Sequence, residues 1–68
     1  MFSVKTENIH TGKIYCTAPT TFEKACDDVR SIIMYLTYSG WEEGIDFDID
    51  IIDADEIPED YNPGEDWN

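Results

Sequence analysis

From Glu42 to Asn68 this chain has no lysine, no arginine and no histidine. Its four bases, Lys5, Lys13, Lys24 and Arg30, all come earlier, where Glu7, Glu23, Asp27 and Asp28 cancel them. The whole formal charge of −12 therefore belongs to the last 27 residues, which carry twelve acids. Such a block opposes folding through self-repulsion, which points to a partner or to a solubility role. Phosphates repel carboxylates, so direct binding to nucleic acid or to an anionic membrane is not expected; a basic protein surface is.

Other absences narrow the field further. Two cysteines, Cys16 and Cys26, are too few for a disulfide framework or a metal knuckle, and both fall at positions that read as core-facing. No apolar run approaches the roughly 20 residues of a membrane span. Met1-Phe2-Ser3-Val4-Lys5 is followed by no apolar signal-peptide stretch, so a soluble, reducing, cytoplasmic compartment is the expectation. There is no glycine-rich phosphate loop, no Gly-x-Ser-x-Gly and no zinc spacing. The one histidine, His10, falls in a turn with no helper in view. Carboxylates on an open surface lack the pocket that separates the pKa values of a catalytic pair. No catalytic residue, metal site or cofactor is expected, and the chain reads as a non-enzyme.

What is present reads as one small domain. At 68 residues the core is thin, because a chain this short buries only about 60% of its unfolded surface. A hydrophobic content of 41% is nonetheless too high for a fully disordered chain. Phe2 and Val4 alternate with Ser3 and Lys5, which predicts a strand over 2–7. Asn8 to Gly12 supplies a turn. Lys13–Thr17 alternates again, with Ile14 and Cys16 facing one way and Lys13, Tyr15 and Thr17 the other, so the pair reads as a hairpin.

Pro19 ends the second strand. Thr20 and Thr21 can each cap a helix, Thr20-Thr21-Phe22-Glu23 matches a capping box, and Gly40 marks a helix end. Between them Phe22, Ala25, Cys26, Val29, Ile32, Ile33 and Leu36 form one apolar stripe opposite Lys24, Asp27, Asp28 and Ser31. The third strand is expected over 45–51. There Ile45, Phe47, Ile49 and Ile51 point one way, Asp46, Asp48 and Asp50 point the other, and Ile52 marks a bulge or the strand end. The fold class is α+β: a β-β-α-β domain over 1–57, a three-stranded sheet with one helix packed on one face. An acidic C-terminal tail follows over 58–68.

The aspartate row is the leading candidate site. Alternate strand residues lie roughly 6.6 Å apart, so Asp46, Asp48 and Asp50 are expected to display carboxylates in a line at phosphate-like spacing. Glu42 and Glu43 precede the row, and Asp53, Asp55 and Glu56 extend it. An ordinary solvent face mixes both signs. Asp46-x-Asp48-x-Asp50 also resembles the start of an EF-hand loop, but the sixth position is Ile51 where glycine is needed and the twelfth is Ile57 where glutamate is needed. Tyr35, Tyr38 and Trp41 crowd the helix end, either as a satellite cluster over the core or as interface anchors bordering the acids. Tyr61 and Trp67 lie within the acidic tail.

In size and charge, through Glu42–Glu56 and the tail, the chain resembles the small acidic proteins of phages and mobile elements that block host enzymes. These include anti-restriction, anti-CRISPR and polymerase- or nuclease-inhibiting proteins of the nucleic-acid-mimic type. The resemblance implies an inhibitor that occupies the basic groove of a nucleic-acid-binding protein in the host cytoplasm. Its contacts would be Glu42, Glu43, Asp46, Asp48, Asp50, Asp53, Asp55 and Glu56, with Tyr35, Tyr38 and Trp41. The alternative is a non-mimetic adaptor or small subunit that binds a protein through a sheet edge or helix surface, as a homodimer in one version, with the acids serving solubility.

Overall fold

A computed structural model describes residues 1–58. The tail expected from Pro58, with Tyr61 and Trp67, lies almost wholly outside the described residues. The opening alternation forms β1 (Phe2–Asn8), which turns through residues 9–13 into the short β2 (Ile14–Cys16). The helix α1 (Phe22–Tyr38) follows, then β3 (Phe47–Asp53) and a single 3-10 turn over Ala54–Glu56. Strand order is β2-β1-β3, with both pairings antiparallel. The first strand in sequence is thus the central one, β3 is an outer strand, and α1 lies against β1 and β3. The sequence-based expectation of a small α+β domain with one helix on one sheet face holds.

The inner face is built from alternate residues. Val4 and Phe47 are fully buried, and Thr6 lies opposite both Tyr15 and Ile49. Leu36 of the helix meets Phe47, with Tyr15, Ile32, Ile33, Trp41 and Ile49 packed around them. Phe22 is more exposed than its place on the stripe suggests, and packs edge-on against Phe2 with ring centroids 5.3 Å apart.

The ends of α1 follow from local chemistry. Thr21 is the N-cap, and its Oγ1 accepts from the Lys24 N–H at 3.2 Å. The expected capping box therefore does not form: with Thr21 as the N-cap, the third helical position is Lys24 and not Glu23. Thr20 is held in the sheet instead, exchanging two 2.8 Å backbone bonds with Phe2, so Glu23 is not the residue that completes a box. At the other end Gly40 adopts φ +92°. Its N–H donates to Thr37 O at 3.1 Å and the Trp41 N–H to Leu36 O at 2.9 Å, the two bonds of a Schellman cap. That cap folds Trp41 back over Leu36.

Three expectations about facing are corrected. Register places Cys16 opposite Lys5 and Ile14 opposite Glu7, while Tyr15 sits opposite Thr6 and packs into the core. The second strand thus presents Tyr15 to the helix and turns Ile14 and Cys16 to the other face. The aromatic ring supplies more apolar area than either alternative, which explains the choice. Ile45 lies before β3 and is 61% exposed, so it is not part of the inner row. Ile52 neither ends the strand nor bulges it: pairing with β1 runs unbroken from Phe47 to Asp53, with Ile52 opposite the buried Ser3 on the face away from the helix.

Candidate functional site

The acidic side of the domain begins in the turn that leads into β3. Gly44, at φ +83°, allows the chain to double back, and its N–H donates to Phe47 O at 2.7 Å. Within the turn Glu42 O accepts from Asp46 N–H at 2.8 Å, and Asp46 Oδ2 accepts from Glu42 N–H at 2.9 Å. A carboxylate only accepts, so His10 Nε2 donates to Asp46 Oδ1 at 2.7 Å. His10 comes from the β1–β2 turn, which Asn8 shapes by accepting on its Oδ1 from the His10 N–H at 3.0 Å. The imidazole also lies 6.4 Å, centroid to centroid, from the Trp41 ring.

Asp46 is consequently a clasp between two turns and not the first member of a displayed row. It is half-buried, and both of its oxygens are engaged. Sequence alternation could not separate it from Asp48 and Asp50, because the signal that distinguishes them is the position of a histidine 36 residues away.

The hydrogen bond from His10, then that from the Glu42 N–H, holds the Asp46 carboxyl below its ordinary value. A lowered folded-state pKa contributes stability above the unfolded-state pKa, and that contribution is lost as pH falls through the folded value. In urea unfolding, Asp46→Asn is expected to be less stable than the native chain at about pH 7, with the difference closing below about pH 4. A difference of equal size on the acid side would contradict the clasp.

Asp48 and Asp50 do stand together on the open sheet face, exposed. Their register partners on β1 are Glu7 and Lys5 respectively. Lys5, Glu7, Asp48, Ile49 and Asp50 line a shallow depression of about 290 Å³. Asp50 also turns one oxygen to the strand edge, where Oδ1 accepts from Ile51 N–H at 2.9 Å. Between Glu42 and Pro58 there are eight acids, of which only Asp46 is not exposed. Glu42 and Glu43 sit before β3, Asp48, Asp50 and Asp53 along it, and Asp55 and Glu56 just after it. The result is an acidic rim along one edge of the sheet, bordered by Lys5 opposite Asp50 and by His10 at Asp46. Among the described residues the ion pairs are His10–Asp46 and Lys24–Asp28, and only the first touches this rim.

The aromatics divide. Trp41 is half-buried against the core, as a satellite residue. Tyr35 and Tyr38 do not cover the core: they are 72% and 91% exposed, and with Met34 at 56% they form a second, outward stripe on α1.

Cys16 is 4% exposed although it faces away from the helix. Burial pushes its thiol above the ordinary value, against the opposing effects of Lys5 and Ser3, so thiolate is scarce at neutral pH. Cys26 is half-buried, and both cysteines are free. Among the described residues no group of three His, Cys, Asp or Glu side chains is placed to hold a metal ion, and no helix is long and apolar enough to cross a membrane. No family model, curated protein or solved structure matches this chain.

Proposed function

We propose that this domain is a small acidic binding protein that lodges its β3 rim in the basic groove of a nucleic-acid-handling protein, standing in for a phosphate backbone and blocking it. The observation that carries this reading is the concentration of exposed carboxylates along one outer strand. Seven exposed carboxylates run before, along and after one outer strand, while every lysine and arginine lies on β1, the hairpin or the helix. A strand of seven residues spans roughly 20 Å. The apolar row behind it packs on the helix, so the charges are held in place before binding and little ordering entropy is lost. A one-signed rim also steers a basic partner and raises the association rate.

The test is recovery of a nucleic-acid enzyme from the natural host at low salt, followed by assay of that enzyme. Added DNA or RNA should compete with the domain. Affinity should fall on the order of tenfold or more between about 50 and 200 mM salt. Binding that ignores both competitor and salt rejects the mimic.

A second reading has one observation in its favour, the outward stripe of Met34, Tyr35 and Tyr38. An adaptor that docks through this face would lose its partner on Tyr38→Ala and tolerate charge reversal on β3.

A further inference from the structure

The ladder decides which backbone groups of β3 are left over. Even-numbered β1 residues bond toward the β2 side: Phe2 N–H donates to Thr20 O and Asn8 N–H to Lys13 O, each at 2.8 Å. Odd-numbered residues bond toward β3, and the same ladder continues past both strand ends. Ile9 N–H donates to Asp46 O, and Ala54 N–H to Met1 O, each at 3.0 Å. Asp48, Asp50 and Ile52 therefore direct their amides to β1, whereas Phe47, Ile49, Ile51 and Asp53 aim theirs out of the sheet. Of the outward groups, Phe47 O is occupied by Gly44 N–H and Ile51 N–H by the Asp50 carboxylate. Among the described residues the amide and carbonyl of Ile49, and the Ile51 carbonyl, have no hydrogen-bond partner and lie on the outer edge of β3.

An open edge is a template for another strand. A second copy of β3 is a poor fit. In an antiparallel copy-on-copy ladder, outward residues pair with outward residues, so with Ile49 opposite Ile49 or Ile51 the Asp50 carboxylate meets another aspartate, and like charges directly opposite are destabilising. A strand with cations opposite the aspartates reverses the sign of the same term.

We infer that β3 accepts an extended basic segment of its protein partner by antiparallel strand addition. Lysine or arginine at alternate positions lies beside Asp48 and Asp50, and apolar residues between them extend the half-buried row of Ile49 and Ile51. Asp50 acts as a shield in the free domain. An incoming cation draws its carboxylate off the Ile51 N–H and frees that donor for the partner's carbonyl. The inference rests on the rim being the contact surface and adds that the backbone edge, not charge alone, holds the partner.

The test uses the full chain and a ten-residue peptide of alternating lysine and valine. In the antiparallel ladder valine lies opposite Ile49, so the valine amides face β3 and the lysine amides face away. N-methylation of the valine amides should weaken binding at least tenfold, and N-methylation of the lysine amides should change it little. Hydrogen exchange at the Ile49 amide should slow at least tenfold in the complex. Equal binding of the two methylated peptides with unchanged Ile49 exchange, or no binding of the parent peptide at millimolar concentration, overturns the inference. If peptide affinity is also unmoved by Asp48→Lys, the acidic-rim reading fails with it; if that variant abolishes binding while Ile49 exchange stays unchanged, only the strand-addition step fails.

Discussion

Phe47→Ala is expected to bring the domain to the edge of unfolding at room temperature. Phe47 is the largest fully buried side chain among the described residues, and it is the point where the helix, through Leu36, meets the sheet. Removing a buried phenylalanine costs about 3–5 kcal/mol, the lost transfer free energy plus the cavity left behind. Folded domains are stable by roughly 0.05–0.15 kcal/mol per residue, which for this length is on the order of 3–10 kcal/mol in total.

Relaxation does little to soften the loss. The neighbouring groups, Tyr15, Trp41 and Ile49, belong to three different elements fixed by the hairpin, the Schellman cap and the β1–β3 ladder. For a domain this small each kcal/mol lowers the melting temperature by about 4–8 °C, so the expected fall is roughly 12–40 °C. Tyr38→Ala, at a side chain 91% exposed, should stay within about 0.5 kcal/mol of the native chain. A Phe47→Ala variant within about 1 kcal/mol of the native chain would mean that the core lies elsewhere.

That core was legible in the sequence where periodicity and burial coincide. The helix stripe and the row of Phe47, Ile49 and Ile51 are two halves of one interior, and both are visible as spacing alone. The sequence was ambiguous where two apolar sets compete for one face. In β2, Ile14 and Cys16 read as the inner pair, yet Tyr15 takes that face, because a three-residue strand has too few positions for alternation to be decisive. At the start of β3 the pattern Ile45, Phe47, Ile49 runs straight through a turn that Gly44 creates, and local alternation carries no mark of where pairing stops.

The acidic site was legible as composition but not as geometry. The acids grouped in the sequence line one edge in space because β3 is an outer strand, and the register that brings Lys5 opposite Asp50 depends on long-range pairing. The clasp on Asp46 and the shield from Asp50 depend on contacts that no spacing rule contains.

The two displayed aspartates, reversed one at a time, should separate stability from binding. Asp48 lies directly across from Glu7, a like-charge pair, so Asp48→Lys turns a repulsion into an attraction worth about 0.2–1 kcal/mol of added stability. Asp50 lies across from Lys5 and also holds the Ile51 N–H, so Asp50→Lys loses an attraction and an edge cap and should destabilise by a similar amount. Urea unfolding is therefore expected to move in opposite directions for two substitutions of identical chemistry. Binding to a basic partner is expected to move in one direction for both, by roughly tenfold to a hundredfold each, or about 1.4–2.8 kcal/mol, since both place a cation on the same rim. Asp46→Asn completes the contrast: its carboxylate is committed to His10 and the Glu42 amide, so it should alter stability and leave affinity nearly unchanged. Calorimetric titration at about 50 mM salt reads all three. If affinity instead tracks stability across the three variants, the rim acts through the fold and not through contact, and the assignment of Asp48 and Asp50 as partner-facing groups is wrong.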